Sequence, residues 1–427
     1  MSTEVKDDNK VKGKIVYLHK VDGDANNNKF FKMVENIDND TFTATWGREG
    51  AQNPQTKCFP MSQWDTKYKE KTGSRKNYTD VTEHRTITDR QVNSKGVNII
   101  ADDKYVVELV LALQNYAKVQ TTEVYKSEAK GVTQKQIDDA QDFLDELAHS
   151  FQHHFGDSDW SQNMFNSVLT KLYIVIPRKM KNVNDHLIDA SWDNKKIGEL
   201  IAQEQSNLDA MAGQVTQQSA VNESEDTITD APQQTLVDML GLKMLLVTNK
   251  AELDLVRKRS QEHAGRILNV YRVINENTQK LFDKKLSDAK DKKVDLLWHG
   301  SRNQNWWFII QQGLKIRPSG AIHTGSMWSD GIYFASSSDK SLGYTDNGRW
   351  VNRGSTKKVY MALYSAHLGR QLIKHSHDSS CYTIDKEVKK NGYDSVWAKA
   401  GASLRKDEYI IYNSTQCTIS YLVEFSA

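Results

Sequence analysis

The apolar run Leu296-Leu297-Trp298 stops at His299 and Gly300, within the stretch DLLWHGSRN. Such a run reads as a short buried strand, and Gly300 removes the side chain where the backbone leaves it. Two uses fit. The pair can be a strand end opening into a turn, because strands commonly end at glycine. It can also be a bared backbone against which a flat ligand lies. Taken alone, the turn is the plainer use. Glu408, in LRKDEYIIY, is a second candidate. Strand alternation puts Glu408, Ile410 and Tyr412 on one face, and on its own Glu408 is an exposed strand residue beside Asp407. The stretch SDGIYFASSSDKSLGY, Ser329 to Tyr344, adds tyrosines and serines. His149 and His153 stand four apart and could share a metal, but no Glu follows as in His-Glu-x-x-His, and His154 beside them marks a polar helix face. No metal is expected. Neither a Gly-x-Gly-x-x-Gly nor a Gly-x-x-x-x-Gly-Lys-Ser/Thr loop occurs.

For these distant segments to meet, strands must carry them. DLLWH, GIYFA, KVYMALY, EYIIY and TISYLVEF read as short strands, and RILNVYRVINENTQKLF as a helix. The C-terminal part is therefore expected to be an antiparallel α+β fold. Before it, Ile137, Ala140, Leu144, Leu147, Phe151 and Phe155 recur at helical steps, and TLVDMLGLKMLLV reads as another helix. The polar, acidic stretch QVTQQSAVNESEDTITDAPQQ between them reads as a mobile loop. Nearer the N-terminus KIVYLHK, KFFKMVE and TFTATWG are separated by turn-like clusters, which predicts a small antiparallel sheet.

The chain has 427 residues, 38% hydrophobic and 26% charged, as expected for a soluble globular protein of about three domains. No apolar run approaches the roughly 18 residues that span a bilayer, and the charged N-terminus is not a secretory signal. Cys58, Cys381 and Cys417 make neither a disulfide framework nor a zinc spacing, which fits a reducing compartment. Residues 1–104 carry 18 basic and 16 acidic side chains, residues 105–265 carry 15 and 24, and residues 266–427 carry 24 and 15. An acidic middle thus precedes a basic end suited to anionic ligands.

Together WHGSRN, GIYFASSSDKSLGY and LRKDEYIIY, with GLKIRP and the terminal SYLVEF, resemble the catalytic signature of the poly(ADP-ribose) polymerases, a family of ADP-ribosyltransferases. The resemblance spans residues 266–427 and implies NAD as substrate and a His-Tyr-Glu triad of His299, Tyr333 and Glu408. It implies that the Gly300 backbone and the Ser301 hydroxyl pair with the nicotinamide carboxamide, with Ser341 as a further partner. Tyr344 and Tyr333 would flank the nicotinamide ring, and His299 would bond the adenine-side ribose. Glu408 would stabilise positive charge growing at the sugar and polarise the acceptor hydroxyl. Lys315 stands where many members place an arginine near the adenosine, keeping charge but losing the bidentate fork. AKAGASL is shorter than the loop of the nuclear DNA-dependent members, and the terminal EFSA lacks their Leu-Trp tail.

TWGREG, between FFKMVE and KYKEKTGSRKNY, resembles the WGR domain of the same polymerases. That implies binding of a nucleic-acid end, with Trp46 offering a stacking surface and Arg48 a charge, beside Lys67, Lys69, Lys71, Arg75 and Lys76. The helical middle, with KLYIVIPRKM, resembles the family's regulatory domain. The expectation is a multi-domain α+β chain: a tail over 1–11, a small antiparallel β WGR domain over 12–105, an all-α helical regulatory domain over 115–265, and an antiparallel-sheet α+β ADP-ribosyltransferase domain over 266–427. The implied activity is DNA-break-activated poly-ADP-ribosylation of acceptor proteins, the enzyme itself included, without membrane involvement, in the nucleus of a eukaryote or the cytoplasm or nucleoid of a bacterium. A mono-ADP-ribosyltransferase and a non-catalytic DNA-end scaffold are the rivals.

Overall fold

The computed structural model describes residues 14–23, 25–36, 39–51, 53–82, 99–126, 129–156, 160–225, 234–316, 327–348 and 356–427. The tail 1–11 and the side chains of His153 and His154 lie outside the described residues. The chain divides into two compact units, residues 1–94, 121–147 and 156–192, and residues 95–120, 148–155 and 193–427.

The first unit holds β1 (Ile15–Asp22), β2 (Asn27–Asn36), β3 (Thr41–Arg48), β4 (Gln55–Pro60) and β5 (Thr79–Asp80), in the order β4-β3-β2-β1-β5. The β1–β2, β2–β3, β3–β4 and β1–β5 pairs are all antiparallel. Alternation puts Leu18, Phe31, Met33, Phe42 and Ala44 on the buried face, where Trp64 closes the core. Asn26 and Asp40 take positive φ of 46° and 44° before β2 and β3, a conformation that short polar side chains tolerate. Helix Gln162–Val175 also belongs here, capped by Ser161 accepting from the Met164 N–H.

The second unit contains β6 (Leu242–Leu246), β7 (Ile267–Asn275), β8 (Val294–Gly300), β9 (Ile332–Phe334), β10 (Lys358–His367), β11 (Gln371–Lys374), β12 (Ser395–Ala398), β13 (Glu408–Ile411) and β14 (Cys417–Ser426). They form two sheets, β6-β7-β14-β10-β8 and β11-β12-β13-β9. All pairs are antiparallel except β11–β12. Trp298, Met361, Leu363, Val423 and Phe425 pack the first sheet's core, and Trp328, Val396, Ala398 and Ile410 the second's. The sheets meet at a single antiparallel bridge, where Trp298 and Ala335 exchange N–H to C=O bonds of 2.8 and 3.0 Å.

The structure departs from four expectations. Thr235–Val247 is a short helix, Leu236–Met239, followed by β6, because Gly241 at φ +64° breaks the chain direction. The all-α expectation over 115–265 therefore meets a strand, and the antiparallel sheet draws in residues before 266. Arg266–Phe282 is β7 and then helix Glu276–Asp288, switching at Asn275, whose side chain accepts from the Thr278 N–H. A short apolar run cannot be told from a helix by periodicity alone. The acidic stretch read as a loop is helical as far as Glu225, within helix Asn194–Glu225. Its glutamines are used: Gln217 Oε1 accepts from Gln114 Nε2 (2.9 Å) and Trp307 Nε1 (3.1 Å). Polar composition there reflects hydrogen-bonded packing.

Candidate active site

β8 ends at a cavity of about 350 Å³, within the roughly 300–1,000 Å³ usual for ligand sites. It is lined by His299, Gly300, Ser301, Lys315, Tyr333, Ser341, Tyr344 and Glu408. Three different strands bring the triad candidates together: His299 from β8, Tyr333 from β9 and Glu408 from β13, with Tyr333 paired to Ile410 across β9–β13.

His299 Nδ1 donates to the Tyr333 carbonyl at 3.0 Å. A carbonyl can only accept, so the neutral ring keeps Nε2 as an acceptor. Burial holds the imidazole below its usual range, against a smaller opposing effect of that backbone bond. The ring sits edge-on to Trp306, Phe334 and Tyr364. A neutral His299 is thus preorganised to receive a hydroxyl. Gly300 is required for a reason the sequence does not expose: a Cβ there would lie 1.9 Å from the Ser341 carbonyl oxygen. Ser301 Oγ accepts from Asn305 Nδ2 at 3.2 Å, and Asn305 Oδ1 accepts from Ser206 Oγ at 2.9 Å.

The Tyr333 hydroxyl donates to the Ser329 carbonyl (2.6 Å) and accepts from the Trp328 N–H (2.9 Å). Burial foremost, then neighbouring Tyr412 and Glu408, pushes it well above the ordinary tyrosine range. Its hydroxyl is committed, so what it offers a ligand is its ring. Tyr344 is pushed up to about 12 by burial and by the Glu408 charge. Glu408 is only 5% exposed. Its Oε1 lies 2.6 Å from Lys340 Nζ and its Oε2 accepts from Trp328 Nε1 at 3.1 Å. The carboxylate is thus held at both oxygens, a fixed negative charge of the kind that can stabilise positive charge developing beside it.

Lys340 and Trp328 were missed from the sequence. Lys340 precedes Ser341 in KSLGY but carries no motif signal. Trp328 lies 80 positions before Glu408, and no periodicity links them. Helix Asn194–Glu225 also borders the cavity, through Gln205 and Asp209.

In the first unit, Trp46 on β3 stacks on Phe31 with ring centroids 5.9 Å apart. Arg48 donates to the carbonyls of Asn26 (2.9 Å) and Lys181 (2.6 Å), so its fork already binds backbone. Lys67 pairs with Glu70, and Lys71 lies 4.3 Å over the Phe31 ring. Among the described residues, no group of three or more His, Cys, Asp or Glu is placed to hold a metal. No described helix is long and apolar enough to cross a membrane.

Residues 249–427 match the family model described as the poly(ADP-ribose) polymerase catalytic domain. A poly(ADP-ribose) polymerase-like protein of invertebrate iridescent virus 6 is 34% identical over 161 residues, 37% of this chain and 84% of that protein. Human poly(ADP-ribose) polymerase 2 is 33% identical over 150 residues, 30% of this chain and 26% of its own length. The chicken protein mono-ADP-ribosyltransferase PARP3 is 23% identical over 485 residues, 95% of this chain and 86% of its own length.

Proposed function

Because this chain belongs to the poly(ADP-ribose) polymerase family, whose catalytic domain uses NAD as substrate, we propose that it transfers ADP-ribose from NAD to protein side chains, itself included, and to growing chains. The observation that carries this is Glu408, buried, gripped at both oxygens, and opening into one cavity with His299, Gly300, Tyr333 and Tyr344. The residues that line the cavity support this reading. Nicotinamide lies between the rings of Tyr333 and Tyr344, its carboxamide against Gly300, Ser301 and Ser341, and a ribose hydroxyl donates to His299 Nε2. Lys315, on the cavity wall, supplies charge toward the adenosine side. The nicotinamide–ribose bond breaks with its electron pair leaving on nicotinamide. Positive charge spreads at the sugar, and Glu408 stabilises it, as carboxylates do in glycoside hydrolysis. The acceptor hydroxyl, polarised by Glu408, bonds the sugar carbon that nicotinamide has left and gives up its proton to solvent.

DNA strand breaks are the proposed trigger. The first unit supports this through the sheet bearing Trp46 and helix Trp64–Thr72, which carries Lys67, Lys69 and Lys71, in a region resembling the family's WGR domain. The acidic helices before the catalytic part act as a brake on NAD access, released when DNA binding shifts the population. Mono-ADP-ribosylation is the second reading, favoured by the long match to a mono-ADP-ribosyltransferase.

Incubation with labelled NAD, with and without nicked DNA, tests the proposal. Label should enter protein, rise with nicked DNA, and run as a ladder on gels. A single discrete product selects mono-transfer, and no label at all defeats the enzyme. Glu408→Gln should fold, bind NAD and lose elongation, with a rate loss on the order of a hundredfold or more. Normal polymer length from that variant sinks the assignment.

A further inference from the structure

Trp328 is 1% exposed and packs with Cys381, Ile384 and Ile410 in the core of the second sheet. Core packing alone does not explain how its polar atoms are used. The indole N–H donates to Glu408 Oε2 at 3.1 Å. Its backbone N–H donates to the Tyr333 hydroxyl at 2.9 Å, and its carbonyl accepts from the Tyr412 hydroxyl at 2.7 Å. The next residue, Ser329, adopts φ +65°, a left-handed conformation uncommon for a residue with a side chain. That turn is pinned from two more sides: the Ser329 carbonyl accepts from Tyr333, and its hydroxyl donates to Asp385 at 2.7 Å. Strained backbone persists where its surroundings over-determine it, and it gathers at functional sites.

We propose that Trp328 is a positioning residue for ADP-ribosyl transfer. Its indole holds the Glu408 carboxylate opposite Lys340, while its peptide holds the Tyr333 hydroxyl, so one strained turn sets both the reactive group and one ring wall. The role rests on the transferase reading of Glu408. A phenylalanine keeps an aromatic ring in the core but has no N–H to give. With that donor gone, Lys340 alone orients the carboxylate, and Oε2 is left buried without its partner.

The test is nicotinamide release by the full-length protein and by Trp328→Phe over a range of NAD concentrations with nicked DNA. The expected result is kcat lower by about tenfold to a hundredfold, the size of a hydrogen bond to a charged group, with KM for NAD changed by less than about threefold. An unchanged kcat, or a change confined to KM, overturns the proposal. Should Trp328→Phe fail to fold, indole ¹⁵N spectra of the parent and of Glu408→Gln decide. Of ten tryptophans, the Trp328 resonance, assigned through its neighbours, should move when its acceptor becomes neutral, and a stationary resonance overturns the contact. A parent protein with no NAD turnover defeats the transferase reading itself, and the positioning role falls with it.

Discussion

An alanine at position 300 has no room for its methyl group, since the Cβ would sit 1.9 Å from the Ser341 carbonyl oxygen. Backbone, not a pliable side chain, is in the way. Gly300→Ala should push β8 and the Ser341 segment apart and cost about 1–3 kcal/mol, the usual price of overpacking. NAD binding should weaken at least tenfold in calorimetry, and a variant binding like the parent would show that this approach does not shape the site. His299 permits a pH prediction. Burial lowers its folded-state pKa, so as pH falls through about 6.5 the unfolded chain takes up the proton first and stability declines. The melting temperature of the parent should therefore drop more between pH 8 and 5 than that of His299→Gln, and parallel curves would contradict it. That His299, Tyr333 and Glu408 meet at one cavity was legible because they lie in distinctive short segments. Lys340 and Trp328 were not, because a carboxylate's partners depend on sheet register, which brings Trp328 to Glu408 across 80 positions.

Helix Asn194–Glu225 illustrates how an element can be right in chemistry and wrong in outline. Its polar C-terminal half looked like a loop, yet Gly213 lies where a Cβ would meet the Phe308 backbone at 3.0 Å. That close crossing lets Gln311 Nε2 reach the Gly213 carbonyl at 3.2 Å and Arg302 reach Gln203 at 2.7 Å. Tertiary packing, which sequence periodicity does not report, fixes the helix. The strands β8, β9, β10, β13 and β14 were readable because their runs are short, apolar and bounded by turns. β6 and β7 were misread because Gly241 and Asn275 each end one element and start another. Gly213→Leu should prise the helix from the cavity edge where Gln205 and Asp209 stand. The expected result is a lower melting temperature together with NAD turnover raised severalfold without DNA. A lower melting temperature with unchanged basal turnover would make the helix a brace and not a brake.

At the scale of the molecule, the brake reading turns on where the catalytic part can be cut. Cutting before residue 266 removes β6, which pairs with β7, and helix Lys250–Ser260, along with the buried side chains Val247 and Val256. Loss of that sheet edge and those core contacts should leave residues 266–427 unfolded, so their inactivity says nothing about a brake. A cut before residue 234 keeps the whole five-stranded sheet, Asn249 capping helix Lys250–Ser260, and Asn275, whose amide donates to the carbonyls of Ile310 and Gln311. Residues 234–427 carry 29 basic and 19 acidic side chains, whereas residues 105–233, which the cut removes, carry 10 and 20. Removing the acidic helices should favour anionic NAD electrostatically as well as sterically. A folded 234–427 chain should thus turn over NAD without DNA, with a KM below that of the DNA-free full-length protein and a steeper rise in KM with salt, since screening weakens attraction between exposed charges. Circular dichroism establishes folding first. A folded truncation whose DNA-free turnover is no higher than the full chain's removes the brake and leaves the helices as scaffold.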